Sequence, residues 1–269
     1  MNEETGTGEV TVRAYAELNN FLPRGCRKTD FTYPLSGGNS LKHLIESAGI
    51  PHTEIELVLL NGRSVGLDAT VEDGDRISVY PVFESFDVEP LVKLRPEPLR
   101  RTRFVLDVHL GKLALILRLL GFDAAFPGDV PDSELAEISA RENRILLTRD
   151  TMLLKRSVVT HGCYLHSQDP EEQARYLLSR LDLRGSVEPF SRCLDCGGLL
   201  EPVEKENIIH KLEPLTKKYY HRFSICSRCE KVYWKGSHYQ PLLDLLERLN
   251  VNSNLQEENG DEDSAEKEI

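Results

Sequence analysis

The sequence predicts a multidomain α/β protein built from a β-grasp (ubiquitin-like) domain, a parallel α/β domain and a four-cysteine zinc ribbon. Three observations carry that expectation. Signals for strand, strand, helix, strand and strand follow one another before residue 83, which is the β-grasp order. Short apolar strands then alternate with helical stretches from Arg103 to Asp150, which implies βαβ units and a mainly parallel sheet. Two CxxC pairs, Cys193/Cys196 and Cys226/Cys229, follow with 29 residues between them.

At 269 residues the chain has room for two or three domains. Its composition, 40% apolar and 29% charged, suits soluble globular units with some disorder. The net charge of −11 gives no global basic signature for nucleic acid. More than half of that excess sits in residues 251–269, where seven acids stand against one Lys. No run approaches the roughly 20 apolar residues of a membrane span, and the polar N-terminus lacks the pattern of a signal peptide. The expectation is a soluble cytoplasmic protein with no membrane partner. Expected boundaries are 9–85 for the β-grasp domain, 86–100 for a linker, 101–185 for the parallel domain, 186–245 for the ribbon and 250–269 for a disordered acidic tail.

In the first domain, VTVRAYAELNNFLP reads as β from Glu9, and a second strand lies near 27–33. Ser40 can cap a helix over 41–48 that Gly49 stops. A strand over 55–60 closes on Asn61-Gly62, a tight-turn pair, and the turn Glu72-Asp73-Gly74-Asp75 leads into a strand over 76–82. The linker contains Pro90, Pro96 and Pro98, which remove donors and disfavour helix. Residues 89–103 carry five basic residues against two acids. The cluster Arg100, Arg101 and Arg103 either holds phosphates or is a solvated arm.

The parallel domain opens with an apolar run over 104–106 that ends in a charge, Asp107. Leu110, Leu113, Ala114, Leu117 and Leu120 recur at helical spacing, and Ile116 and Leu119 widen the apolar face. Gly121 ends that helix and 122–126 returns as a strand. Asp132-Ser-Glu starts the next helix, which carries Leu135, Ile138 and Ser139 inward to about Asn143. A strand over 144–148 follows, with Asp150 just past its end. In open α/β sheets, sites form outside the carboxyl ends of strands. Asp107 and Asp150 lie at such ends, and Asp132 lies at a helix start on the same side. Converging carboxylates repel unless a cation joins them, and oxygen ligands favour Mg²⁺ or Mn²⁺. Such an ion supports phosphodiester hydrolysis. Taken singly, two of the acids have a simpler reading: Asp132 as an N-cap with Glu134 in the first turn, and Asp150 as the cap of a helix over 151–156.

After a strand over 158–166, Asp169-Pro-Glu-Glu is a capping signature, so Asp169 is read as structural. The helix over 170–183 brings Ala174, Leu177, Leu178 and Leu181 to one face. Each CxxC then forms a turn that presents two sulfurs, and two such turns make a tetrahedral zinc site of Cys193, Cys196, Cys226 and Cys229. Gly197 suits the backbone after the first turn, whereas Glu230 stands where Gly is usual after the second. A redox pair is the rival, but it needs one CxxC at a helix start. With Cys26 and Cys163 single, the pattern fits metal binding in a reducing compartment. Tyr219, Tyr220, His221, Arg222, Tyr233, Trp234, Lys235, His238 and Tyr239 interleave aromatics with cations. They either stack bases or fill the ribbon's core. A last amphipathic helix covers 242–249.

The motif LDxxLGKLAxxLRxLGFD, together with D-x-E-L ahead of RILLTRD, resembles the Mut-seven C-terminal RNase domain, a PIN-like fold. The likeness runs from Arg103 to about Leu183, and to about Gln240 with the ribbon. It implies Asp107, Asp132 and Asp150 as catalytic ligands of Mg²⁺ or Mn²⁺, with Thr148 as the Thr of a T-x-D motif. The interval of 18 positions from Asp132 to Asp150 is PIN-like. Only 24 residues separate Asp107 from Asp132, fewer than in typical PIN domains, whose longer segment carries a further acid; here either Asp129 or Glu134 replaces it or it is absent. Lys112 and Arg118, matched from LGKLA and LR-x-LG, are expected phosphate contacts, the alternative being solvation or a local ion pair.

The stretch LVLLNGRSVGLDATVEDGDRISVYPVF resembles ThiS/MoaD-like ubiquitin folds, specifically the ubiquitin-like domain that precedes the RNase domain in this family. Sulfur carriers end in Gly-Gly, but here Gly37-Gly38 is internal. The domain is therefore read as a binding or packing module, open to a protein partner and dispensable for chemistry. The expected function is a metal-dependent ribonuclease with structural Zn²⁺, catalytic Mg²⁺ or Mn²⁺, and RNA bound in part by Trp234. The alternative is a non-catalytic RNA- or protein-binding adaptor with a degenerate PIN-like site.

Overall fold

A computed structural model of the protein describes residues 8–35, 40–81 and 102–251. The chain first forms β1 (Glu9–Ala14), β2 (Phe31–Pro34), α1 (Leu41–Ser47), β3 (Ile55–Leu60), β4 (Arg63–Val65) and β5 (Arg76–Pro81). It continues with β6 (Arg103–Leu106), α2 (Gly111–Leu119), β7 (Asp123–Ala125), α3 (Asp132–Glu142), β8 (Ile145–Thr148), α4 (Thr151–Leu154), β9 (Gly162–Tyr164) and α5 (Pro170–Arg180). The last part holds β10 (Leu200–Val203), α6 (Lys205–Ile208), α7 (Pro214–Tyr219), β11 (Phe223–Cys226), β12 (Val232–Tyr233) and α8 (Tyr239–Arg248). The expected linker, the Gly37-Gly38 pair and the tail from residue 252 lie outside the described residues. Two compact units result: residues up to Gly111 with Phe126–His166, and Lys112–Ala125 with everything from Ser167.

The first unit opens with a five-stranded sheet in the order β2-β1-β5-β3-β4. Its central pair β1/β5 is parallel and the other pairs are antiparallel, as a β-grasp requires. Val10, Val12, Leu41, Leu44, Ile45, Ile77 and Val79 share its core. Asn61 and Gly62 both take positive φ, 51° and 80°, so the β3–β4 turn is of the primed kind that suits strand twist. Two local expectations fail here. The first strand stops at Ala14, because 16–21 winds into a 3-10 helix held by the buried Asn19 amide, which donates to the Ala14 and Ala16 carbonyls. Ser40 occupies the cap position of α1 but makes no side-chain cap bond.

In the same unit, β6, β8 and β9 pair in parallel, with Phe104, Val105 and Leu106 opposite Ile145, Leu146 and Leu147. Every residue of β8 is buried, the pattern of a central strand in a parallel sheet. The helix α3 ends on Asn143 in the left-handed region at φ 49°, a conformation Asn tolerates well. The strand expected over 158–166 is only three residues long, and α4 ends at Leu154 rather than Arg156.

The β-grasp part packs against this segment through groups that one sequence window cannot relate. Glu54, fully buried, accepts the Tyr164 backbone N–H at 2.5 Å on the edge of β9. His52 sets Nδ1 2.7 Å from Glu46 Oε1 and Nε2 2.9 Å from the Val159 carbonyl. Lys155 donates to the Glu46 carbonyl, and burial lowers its pKa while Glu46 opposes that shift. Phe21 meets the Tyr164 ring edge-on at 5.2 Å between centroids. A module expected to be dispensable for chemistry is thus part of a packed unit. Glu54→Ala leaves a half-buried N–H unpaired and should lower unfolding free energy by about 1–3 kcal/mol in urea titrations; an unchanged midpoint and slope would show the bond to be immaterial.

The second unit contains α2, which buries Leu113, Ala114, Ile116, Leu117 and Leu119. Gly121, at φ +93°, follows it where a Cβ would come 2.4 Å from the Glu188 carbonyl oxygen, so no other residue fits. Asp169 caps α5, accepting the Glu172 N–H at 2.9 Å with Pro170 at the first helical position, as the sequence predicts. The helix α8 joins it through an Arg248–Glu171 pair at 2.9 Å, and Leu246 and Leu249 are buried. The ribbon sheet runs β10-β11-β12, all antiparallel.

Candidate functional site

Two of the three expected acids meet at the carboxyl ends of β6 and β8. The ladder carries on past β6 through the Asp107 N–H, which donates to the Leu147 carbonyl at 3.1 Å. Thr148 is fully buried, and its hydroxyl donates to Asp107 Oδ2 at 2.7 Å. The Thr148 Oγ1 in turn accepts the Asp150 N–H at 2.9 Å. One hydroxyl therefore fixes both strand ends. Asp150 caps α4 as expected, its Oδ1 accepting the Met152 N–H at 2.7 Å. Asp107 receives the His109 N–H on Oδ1 at a long 3.4 Å. Asp107 is half-buried and Asp150 is exposed.

Asp132 behaves differently. It is exposed and is the first residue of α3, with Pro131 in the cap position, so its expected capping bond is absent. Its charge still favours the helix start, as does that of Glu134. Among the described residues, no group of three acids is gathered closely enough to share an ion, so Asp132 does not join Asp107 and Asp150 in that sense. A hard divalent ion is commonly held by one or two carboxylates plus water and substrate phosphate.

The phosphate contacts read from LGKLA and LR-x-LG part company. Lys112 is exposed at the start of α2. Arg118 is 6% exposed, and its guanidinium donates to the carbonyls of Ala124 at 2.9 Å, Leu194 at 3.0 Å and Asp195 at 2.7 Å. Burial lowers its pKa, while the nearby Cys196, Cys193 and Asp195 oppose that shift. It is neither a surface phosphate contact nor a solvated residue. It ties α2 to the first cysteine turn, and nothing in a local window signals a partner 76 positions away.

The four cysteines do converge. Cys193 Sγ lies 3.6 Å from Cys229 Sγ, Cys196 Sγ lies 3.4 Å from Cys226 Sγ, and all four sulfurs fall within 4.8 Å of one another. A tetrahedral ion with sulfur bonds of about 2.3 Å sets edges of roughly 3.8 Å. The two turns are built alike. Gly197 and Glu230 donate to the carbonyls of Cys193 and Cys226, at 2.9 and 3.0 Å, and both take positive φ. Glu230 therefore adopts the conformation for which Gly is usual, with its carboxylate 2.8 Å from Lys211 Nζ.

Tyr233 is a functional residue that sequence reasoning grouped with ordinary aromatics. Its hydroxyl lies 3.1 Å from Cys193 Sγ and accepts the Leu194 N–H at 3.1 Å. Burial disfavours the Cys193 thiolate, but hydrogen bonds from Tyr233 and from the Cys196 and Asp195 amides outweigh it and bring the pKa down to about 6. Cys196 moves up to about 12, because burial and the neighbouring sulfurs disfavour a second negative charge. A cation among them is what allows all four to ionise. Tyr233→Phe should therefore weaken Zn²⁺ binding about 10- to 100-fold in a chelator competition, the usual cost of losing an outer-shell partner; equal affinity would mean the hydroxyl only fills space.

Trp234 is 40% exposed and packs 6.4 Å from the rings of both Tyr220 and Phe223, so it is part core and part surface. No helix among the described residues is long and apolar enough to cross a membrane.

A β-grasp module, a parallel α/β core with acids at its strand ends and a four-cysteine ribbon together define a multidomain α/β protein. The Mut7-C RNAse domain model matches residues 102–246 and the Mut7-C ubiquitin model matches residues 7–87. The first covers more than half of the chain, which therefore belongs to the Mut7-C RNase domain family. No curated protein and no solved structure matches it.

Proposed function

We propose that the protein is a metal-dependent ribonuclease that hydrolyses RNA phosphodiester bonds at the Asp107/Asp150 pair. The observation that carries this reading is Thr148, whose buried hydroxyl binds one acid and the backbone of the other at the edge of the parallel sheet. Asp107 and Asp150 are the residues that would hold Mg²⁺ or Mn²⁺, and such an ion would supply the lowered pKa of the attacking water. Thr148 orients Asp107 and holds the Asp150 backbone, so the carboxylates need little reorganisation when a phosphate arrives. The family likeness alone offers Asp132 as a third acid and Lys112 as a phosphate contact. The four cysteines hold Zn²⁺, whose preference for four sulfurs in a tetrahedron matches this donor set. Six cysteines with no disulfide among them suit a reducing compartment such as the cytoplasm.

The specific support for a non-catalytic adaptor is the position of Asp132 outside the acid pair. Single-stranded RNA incubated with Mn²⁺ separates the two readings. In the nuclease reading, wild type cuts, and Asp107→Asn and Asp150→Asn lose at least ~100-fold in rate while keeping their melting temperature, since Asn caps nearly as well as Asp. Asp132→Asn should fall with them. If it keeps the wild-type rate, the site is two acids, and if wild type does not cut, the adaptor reading stands.

A further inference from the structure

We infer that the outer face of the ribbon around α7 is a grip for single-stranded RNA, formed by Lys217, Lys218 and Tyr219 and extended by Leu215 and Trp234. The choice of RNA rests on the ribonuclease reading, while the surface itself rests on separate observations. Leu215 and Tyr219 stand one helical turn apart and are 71% and 62% exposed. Side chains four apart on a helix share a face, so α7 presents two large apolar groups to solvent together. Neither is needed by the small core beneath, which is made of Ile208, Leu212 and Phe223.

Charge decides what such a face attracts. The chain as a whole carries 44 acids against 33 Lys and Arg, yet residues 205–239 contain eight Lys or Arg against three Glu. One of those three, Glu230, is engaged by Lys211. Positive charge is therefore in excess in this segment around α7, although the ribbon over 186–245 as a whole is nearly balanced, with nine Lys or Arg against eight acids. Lys218 Nζ lies 5.1 Å from the centroid of the Tyr219 ring, which puts an ammonium beside an exposed aromatic plane. Tyr220, the next residue, lies 6.4 Å from the half-exposed Trp234. Aromatic planes interleaved with cations are the elements that hold unpaired nucleotides, the rings stacking bases and the cations meeting phosphates. A duplex hides its base faces and offers these rings nothing to stack on. An acidic peptide would use the cations and leave the rings idle.

The test uses full-length Asp150→Asn protein without added divalent ion, and a fluorescein-labelled oligouridine of about 12 nucleotides, within the usual span of single-strand sites, followed by anisotropy. Expected is binding that Tyr219→Ala weakens about 5- to 100-fold, the usual worth of one stacked base, while Tyr219→Phe restores it. Lys217→Gln/Lys218→Gln should flatten the dependence of log affinity on log salt by roughly 1.4, two single-strand phosphate contacts. Metal content at the cysteines and the melting temperature, measured on each variant, report whether the ribbon stays folded. Equal affinity of all variants overturns the inference, as does equal binding of a duplex of the same length. Retention of oligouridine binding by a protein that never cuts RNA would remove the nuclease reading and leave the grip standing.

Discussion

The parallel pairing of β6 with β8 is the constraint on which the acidic site depends. Parallel strands end on the same side, so residues just past each end become neighbours although Asp107 and Asp150 are 43 positions apart. Adjacency alone would leave two mobile carboxylates. The Thr148 hydroxyl, fully buried at the end of β8, turns adjacency into a fixed arrangement by donating to one acid and accepting from the other's backbone. The aliphatic residues of β6 and β8 supply the burial that makes this hydroxyl costly to leave unpaired.

The second unit is held by a different means. Among the described residues, the ribbon's core cluster has three buried apolar side chains besides the cysteines, too little to fold a segment of this size alone. Metal binding is then coupled to folding. The stability gained there reaches α2, because Arg118 and Arg192 fasten that helix and its closing Gly121 to the first cysteine turn. Arg118 spans from Ala124 to the Leu194 and Asp195 carbonyls, and Arg192 binds Gly121 and Gly197 at 2.9 and 2.8 Å. Backbone bonds from Glu188 and Phe190 to Leu120 and Leu119 complete the attachment. The ribbon is in this sense a clamp on the helix that carries Lys112.

Features legible in the sequence were those set by short-range chemistry. Asn61-Gly62 dictates its turn, Asp169-Pro-Glu-Glu its cap, and each CxxC its paired sulfurs, all within a few residues. Element order was enough to give the β-grasp and the parallel sheet. What escaped depends on distant partners. Arg118 looked like a surface cation because its acceptors lie 76 and 77 positions away. Glu54 and Tyr164, 110 positions apart, gave no hint that the β-grasp part covers an edge of the parallel sheet. Tyr233 could not be told from its aromatic neighbours until its hydroxyl was found beside a sulfur. Asp132 illustrates a finer limit. Helix starts are uncertain by a residue or two, and a shift of one moved it from the cap into the first turn.

Everything proposed for the acidic site turns on whether Asp107 and Asp150 bind a divalent ion. Thermal melts of the zinc-loaded protein across a Mn²⁺ series measure this without any RNA. Wild type should gain stability by mass action, about 2.7 kcal/mol at a roughly hundredfold excess over the dissociation constant, and Asp107→Asn/Asp150→Asn should gain none. An equal response of wild type and the double variant would contradict a metal site at these acids.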